Sequence, residues 1–392
     1  MREDILELAR SYADEARDEE ADLLRELGRI PAPSHDEGRR AAFVRSWLVE
    51  AGAHDEDVAI DAAGNVVLRL GVGATPDDGS RDLVVYAAHM DVVFPDTEPL
   101  PLREEGGRLY APGIGDDTAN LVGLMLAARW LLRHPERLAS LGHGVLVVAN
   151  TCEEGLGNLK GTKELFSAYG ERVREFVTFD THLPNLEGEA IGSHRWKLRV
   201  TGPGGHSLHD YGRPNAIALM AQLVGRVLAI ELPGEGTTCN VGRIEGGTTI
   251  NSIPAACEAL YEYRSGSNDV LDEMRARLEA VVGAFRDEVA AACEGVAVDL
   301  ELLGVRPGTG PVDPEAQAAL LARCGDVIRH TSSREPNVIQ GSTDANVPLS
   351  LGIPACCVGT IVGDGMHTRG EWIELASLPA GLATILAVML EA

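Results

Sequence analysis

The chain has 392 residues, 45% of them hydrophobic and 24% charged, the proportions of an ordinary globular protein able to bury a large core. At roughly 100 to 200 residues per domain this length predicts two or three compact units and excludes a single small module. Sixty acidic residues against 34 basic ones give a formal net charge of -26. With no basic patch to offset it, that charge opposes phosphate backbones and anionic lipids, so nucleic acid and membrane partners are not expected.

Residues 1–24 read as an acidic helix without the basic start, apolar stretch and small-residue cleavage site of a signal peptide, so no export is expected. No run of about 18 apolar residues offers a membrane span. The seven cysteines are odd in number and contain no Cys-x-x-Cys pair, which argues against a disulfide framework or a thiolate zinc knuckle and favours a reducing cytoplasm. Residues 37–52 form an amphipathic helix in this reading, with Phe43, Trp47 and Leu48 on one side and Ser34 or Asp36 capping its start. Apolar runs 83–88, 145–149 and 176–179 have the length and β-branched content of buried strands, and helical segments separate them, so the fold class is α/β. The apolar pattern of 118–132 is nearly continuous, as in a helix packed between a sheet and other elements, with Asp117 or Thr118 as its cap.

From about His194 the texture changes. An alternating strand at 196–200 leads to the turn Gly202-Pro203-Gly204-Gly205 and a helix beginning near Pro214, with Ile217, Met220, Val224, Val227 and Leu228 on one stripe. Strands around 238–244 and 256–263 precede a second amphipathic helix carrying Leu271, Met274, Leu278, Val282 and Phe285. This β-α-β-β-α-β order is the ferredoxin-like split arrangement. A helix at 316–328 and a strand at 353–358 then resume the α/β pattern. The expected domains are therefore 1–193 as a catalytic first part, 194–302 as an inserted ferredoxin-like α+β domain, and 303–392 as the catalytic second part.

Histidines and carboxylates stand directly after the expected strands, where α/β sheets present their ligand-binding loops. His89-Met90-Asp91 follows the first, and in a metal site the histidine is a ligand while the aspartate accepts its other N–H. Gly113-Ile114-Gly115-Asp116-Asp117 opens a helix, where an acidic pair either caps or binds a cation. Cys152-Glu153-Glu154-Gly155 places two glutamates at an apolar strand end, a costly arrangement unless a cation holds one and leaves the other as a base. Asp180 follows 176–179, and His367 lies in Gly365-Met366-His367-Thr368 after the last strand. Singly each of these fits an ordinary polar loop; jointly they supply ligands suited to zinc, cobalt or manganese.

In these five motifs and their order the sequence resembles the dinuclear-zinc exopeptidases and deacylases that include peptidase T, glutamate carboxypeptidase, acetylornithine deacetylase and succinyl-diaminopimelate desuccinylase. The resemblance runs from Pro31-Ala32-Pro33-Ser34 to His367-Thr368-Arg369-Gly370-Glu371-Trp372. It implies a zinc-exopeptidase-like catalytic domain with a mixed central sheet flanked by helices, and a lid and dimerisation role for the insert, hence a homodimer. It implies two Zn2+, with Co2+ or Mn2+ as substitutes: His89 and Asp180 on one ion, Glu154 and His367 on the other, and Asp116 bridging both. Asp91 then orients His89, and Glu153 is the general base acting on a metal-bridged water. Gly202-Pro203-Gly204-Gly205-His206-Ser207 matches the family's lid motif, whose histidine helps to hold the oxyanion. Asn251 and Arg264 fall at positions that bind a substrate carboxylate, and Gly341-Ser342-Thr343-Asp344-Ala345-Asn346 looks like a glycine-rich loop that positions backbone near the pocket.

Two departures stand out. The helix after the bridging aspartate begins Thr118-Ala119-Asn120, where relatives often carry lysine or asparagine and then small residues. Asp180 precedes Thr181-His182 where a glycine is common, which leaves His182 either a loop residue or a neighbour of the metal shell. Aspartate at 180 is similar to the aminopeptidase and tripeptidase side of the family. The expected activity is hydrolysis of amide bonds in small peptides, with an N-acyl amino acid deacylase as the alternative. An inactive metal-binding scaffold is the alternative of another class, against which the intact Glu153 argues.

Overall fold

Strands Leu83–His89 and Gly144–Asn150 are buried along their whole length, as a parallel pair covered on both faces must be. In the computed structural model, which describes all 392 residues, they belong to an eight-stranded mixed sheet. Its order is Val58–Ile60, Val66–Leu70, Gly144–Asn150, Leu83–His89, Val173–Phe179, Ala355–Val358, Asn185–Ala190 and Asn337–Gly341. The four strands from Gly144–Asn150 to Ala355–Val358 run parallel, so their carboxyl ends lie along one edge. His89 stands opposite Asn150 in register, and Phe179 opposite Val358.

One face of this sheet packs on a core shared by helices Glu3–Leu27, Ala119–Arg133, Pro314–Ser332 and Leu378–Leu390, and the other on Lys160–Tyr169 and Asn346–Ser350. The helix Ala119–Arg133 is buried on every side down to Leu131, which explains its continuous apolar sequence. The sheet and these helices make up one compact unit, Met1–Ala190 with Gly310–Ala392, and Ile191–Thr309 makes up a second. No helix is long and apolar enough to cross a membrane.

The second unit holds a four-stranded antiparallel sheet in the order Thr238–Gly246, Ala256–Ser265, Gly192–Thr201 and Ala297–Arg306. Along Ala256–Ser265 every second residue is buried, the period of a sheet with one covered face. Cys257, Ala259, Tyr261 and Tyr263 pack there with the inner sides of helices Ala216–Leu228 and Asn268–Ala292. The chain order β-α-β-β-α-β with this strand order is the split arrangement read from the sequence.

Three local expectations are corrected. The helix expected at 37–52 is Gly38–Glu50, and neither Ser34 nor Asp36 caps it. The Ser34 hydroxyl donates instead to Asp91 at 2.7 Å, and the buried side carries Arg40, Ala41, Val44 and Leu48. Asp117 and Thr118 do not cap Ala119–Arg133 with their side chains. Asp117 accepts the backbone N–H of His89 at 2.7 Å, and Thr118 donates its hydroxyl to the Gly113 carbonyl. In Ala216–Leu228 the buried stripe is Ala216, Met220, Leu223 and Val227, while Ile217 and Leu228 are exposed. The helix starts on the Asn215 cap, which accepts the Ala218 N–H, and the side that packs against the sheet carries Ala216, Met220, Leu223 and Val227.

Leu278 is fully buried between helix and sheet in the second unit. Leu278→Ala is expected to destabilise that unit by about 2 to 5 kcal/mol through lost transfer energy and a residual cavity. Urea unfolding followed by circular dichroism checks it, and a loss below about 1 kcal/mol would contradict this packing.

Candidate metal centre

At the carboxyl edge of the central sheet the backbone leaves each strand in a tight turn that aims a polar side chain back across the edge. Non-glycine residues with left-handed backbone occur in two of these turns, Cys152 at φ +57° and Thr181 at +60°, and His367, after the short strand Gly363–Asp364 of another sheet, has φ +61°. Such conformations carry a local cost, and they cluster where side-chain direction matters more than backbone ease.

His89, the last residue of its strand, is buried, with Nε2 3.0 Å from Asp116 Oδ1. Its Nδ1 lies 3.0 Å from the Asp91 carbonyl and 3.4 Å from the Asp91 carboxylate, two acceptors that favour a proton on Nδ1, so that Nε2 would be the nitrogen offered to a cation. The second oxygen of Asp116 is 3.0 Å from His367 Nε2, which is also 3.2 Å from Glu154 Oε1. Asp116 therefore offers one oxygen to each imidazole. Ligand atoms of His89, Asp116 and Glu154 all lie within 4.8 Å of one another. Asp180, buried at the neighbouring strand end, is outside that trio but close enough for its charge to be coupled to Asp116, His89 and Glu153.

The scaffold around these groups is built from backbone amides. Asp91 accepts the N–H of Glu153 on one oxygen and that of Glu154 on the other, each at 2.9 Å, so it aims both glutamates as well as His89. Glu371 accepts the N–H groups of Gly113 and Gly115 at 2.7 Å and of Asp116 at 2.8 Å, folding the acidic turn around one carboxylate. Asp344 accepts from Asn150 and Thr162, which ties the loop after Asn337–Gly341 to the end of a central strand. The fully buried Arg40 donates to the carbonyls of Ile30 and Met90 and to the Thr118 hydroxyl.

The sequence assigned no part to Ser34, Arg40 or Glu371 in this edge, read Asp117 only as half of an acidic pair that caps a helix or binds a cation, and gave the Asp344 loop only backbone positioning. Glu371 had a signal, since it lies four residues after His367 within one motif. His182 has a buried Nε2 without a partner, and burial holds its pKa below the ordinary histidine value.

The charge balance of this edge is lopsided. Burial, then the charge of Asp116, raises Asp180 well above the carboxylate range, and burial does the same to Asp117. Burial pushes Glu154 up to about 7 despite its contact with His367, and Glu371 up to about 7 despite three amide donors. Burial alone would lower His89, but Asp117, Asp116 and Asp91 outweigh it and hold it well above 6.5. Hydrogen bonds to Asp116 and Glu154 push His367 up to about 11. Buried carboxylates that cannot all ionise beside one another, facing two imidazoles with their Nε2 atoms inward, form a donor set that fits divalent cations.

The residues named in the second unit divide between two places. Gly205–His206 pairs with Ser252–Ile253, and the Ser207 N–H donates to the Asn251 carbonyl, so His206 and Asn251 share one loop pair. His206 is exposed, and its Nδ1 accepts the Leu208 N–H at 3.2 Å, which leaves Nε2 as the protonated nitrogen facing outward. Arg264 lies at the far end of Ala256–Ser265, opposite Thr238, and its guanidinium meets Glu262 at 3.1 and 3.2 Å. Arg264 is not brought together with His206 and Asn251.

Comparison with known proteins places this geometry. Residues 85–391 match the family described as Peptidase family M20/M25/M40. The chain is similar to a succinyl-diaminopimelate desuccinylase of Azoarcus sp. (strain BH72), 29% identical over 264 residues, which are 61% of this chain and 66% of that protein. The chain thus spans just under two thirds of the length of that relative. Among solved structures it is similar to the aminopeptidase PepT from Bacillus cereus ATCC 10987, with a TM-score of 0.69, 20% identity and coverage of 96% and 98% of the two chains. It is also similar to the di-peptidase Dug1p from Saccharomyces cerevisiae, with a TM-score of 0.76, 16% identity and coverage of 98% of both.

The electrostatics give a signed expectation for the metal-free protein. Carboxyls raised from 4.5 to about 7, as for Glu154 and Glu371, bind more protons folded than unfolded, so stability falls as pH rises through that window. The raised His89 and His367 act in the same direction, their stabilisation being complete below 6.5 and fading as pH climbs toward their folded values. The depressed Asp91 and Asp116 act oppositely, but only as pH drops below 3.8. Chelator-treated protein should therefore melt at a lower temperature at pH 8 than at pH 5, and added zinc should raise the melting temperature more at pH 8. Equal melting temperatures at both pH values would contradict this account.

Proposed function

Because the chain belongs to peptidase family M20/M25/M40, we propose that it is a zinc-dependent exopeptidase that hydrolyses amide bonds of small peptides. The observation that carries the reading is Asp116 with one oxygen 3.0 Å from the Nε2 of His89 and the other 3.0 Å from that of His367. A carboxylate placed between two imidazoles is the arrangement a bridging ligand requires. In this proposal His89 and Asp180 hold one ion, Glu154 and His367 a second, and Asp116 serves both. Zinc suits this nitrogen and oxygen set, and cobalt or manganese would also be accepted. When bound, such ions supply Lewis acidity that polarises the scissile carbonyl and makes water acidic enough to lose a proton near neutrality.

The chain's own residues do the rest. Asp91 keeps the His89 ring in the tautomer that frees Nε2, and through two backbone amides it fixes where the Glu153 and Glu154 side chains begin. Glu153, buried at the same strand end, takes the proton of the attacking water and delivers it to the leaving nitrogen. His206, with its protonated Nε2 outward, is proposed to donate to the developing oxyanion, and Asn251 in the same loop pair to contact the substrate. Arg264, at the far end of Ala256–Ser265 and beside Glu262, is proposed to bind a substrate carboxylate.

The second reading, an N-acyl amino acid deacylase, is favoured by the name of the Azoarcus relative, a desuccinylase. The chemistry at Glu153 would be the same. An inactive scaffold is not favoured, since the family is one of peptidases and Glu153 stands buried at the same strand end as the donor set. The proposal includes a homodimer formed through the second unit, supported by the open edge strand Thr238–Gly246 and the exposed Ile217, Leu228 and Ile244. It also includes the reducing cytoplasm, supported by the odd number of cysteines without paired spacing.

Glu153→Gln should keep its metal content and lose about 100- to 10,000-fold in kcat on the best substrate, because only the proton carrier is removed. A panel of di- and tripeptides set against N-acetyl and N-succinyl amino acids tests the substrate class, and turnover of acylated amino acids with silence on every peptide would overturn the peptidase reading. Sedimentation velocity tests the dimer: Ile244→Lys should shift the species to the 41.7 kDa monomer, and a wild type that sediments as a monomer would refute it.

A further inference from the structure

Glu187 is a carboxyl near this edge that the proposed chemistry leaves without a task. It lies on Asn185–Ala190, opposite Cys357 on one neighbouring strand and Ile339 on the other. Residues opposite one another share a face of the sheet, and the Cys357 thiol on that face reaches the carbonyl of Asp180 at 3.5 Å. The residue as a whole is half-buried, yet its Oε2 is enclosed and has no hydrogen-bond partner. Burial and then the charge of Glu153 push its carboxyl up to about 7, and no cation is among the groups acting on it.

The fold reserves room for this carboxyl. A Cβ built on Gly341 would fall 1.5 Å from Glu187 Oε2 and 2.2 Å from its Cδ, so only glycine at 341 lets the side chain lie where it does. Gly341 opens the loop whose Asp344 is tied to Asn150 and Thr162, which fixes the notch relative to the central strand ends. A carboxylate with one oxygen enclosed and unpartnered is unfavourable in the free protein and becomes favourable once a cation with hydrogens to donate reaches it.

We infer that Glu187 receives the free α-ammonium group of a peptide's first residue, so that the site selects unblocked amino termini over N-acyl groups. The inference rests on the peptidase reading and deepens it. An ammonium supplies the missing charge and up to three N–H donors. An acyl carbonyl or a succinyl carboxylate would set oxygen against oxygen in the same notch.

The test uses the zinc-loaded enzyme with trialanine and with lactyl-dialanine, in which a hydroxyl replaces the α-amino group. Glu187→Gln should lower kcat/KM on trialanine by about 10- to 100-fold, chiefly through KM, and leave lactyl-dialanine unchanged, so that the preference for the amine disappears. Glu187→Asp should recover part of the preference. Gly341→Ala, which drives a methyl group into the carboxyl without removing its charge, should lose it. An equal fall on both probes would mark Glu187 as structural, and no fall on trialanine would show that the ammonium is read elsewhere. Either result overturns the inference while wild-type cleavage of trialanine leaves the peptidase reading standing. Silence of the wild type on trialanine overturns the inference together with that reading.

Discussion

Too many buried carboxyl groups converge on one edge of a parallel sheet, and the structure there is arranged around that excess. Asp91, Asp116, Asp117, Glu153, Glu154, Asp180 and Asp344 are all buried, while the cations of the protein near them are Arg40, His89 and His367. Burial without a counter-charge is among the costliest arrangements a fold can hold. The same excess makes a strong attractor for small, highly charged ions. Asp116 is the focal point because it alone meets both imidazoles.

Two carboxylates make that arrangement rigid by binding backbone amides. Asp91 takes the amides of Glu153 and Glu154, and Glu371 takes those of Gly113, Gly115 and Asp116. Each fixes a turn whose side chains face inward, so the direction of a ligand is set by a hydrogen bond two or more residues away. Charge-assisted bonds of this kind are short and strong. Arg40 works from beneath: burial lowers it to about 10, and Asp91 and Asp117 support its charge.

The second unit solves a different problem. Its sheet has one face covered by two helices, and its other face carries cross-strand ion pairs such as Lys197 with Glu301. His206 and Asn251 meet there because a two-residue ladder and one backbone hydrogen bond join their loops. Arg264, expected with Asn251 to meet a substrate carboxylate, lies at the opposite end from Asn251, where the register of the long strands sets it beside Glu262.

The sequence by itself determined the α/β class, the two-layer insert and the chemistry of the edge. Buried strands need unbroken apolar runs, one-sided strands need alternation, and His89, Glu154 and Asp180 lie at or just past the ends of such strands, while Asp116 opens a helix and His367 follows a two-residue strand. These are local signals, written in consecutive residues. Which hydrogen bond each polar side chain makes was not local, so Ser34 read as a cap and serves Asp91, and Glu371 read as a motif's tail and folds a turn more than 250 positions earlier. The same holds for Glu187 and Gly341, whose contact depends on strands paired across a gap of 150 residues. Tertiary structure decided those partnerships, because a carboxylate binds whichever amide the packing brings within about 3 Å, and sequence separation carries no information about that distance.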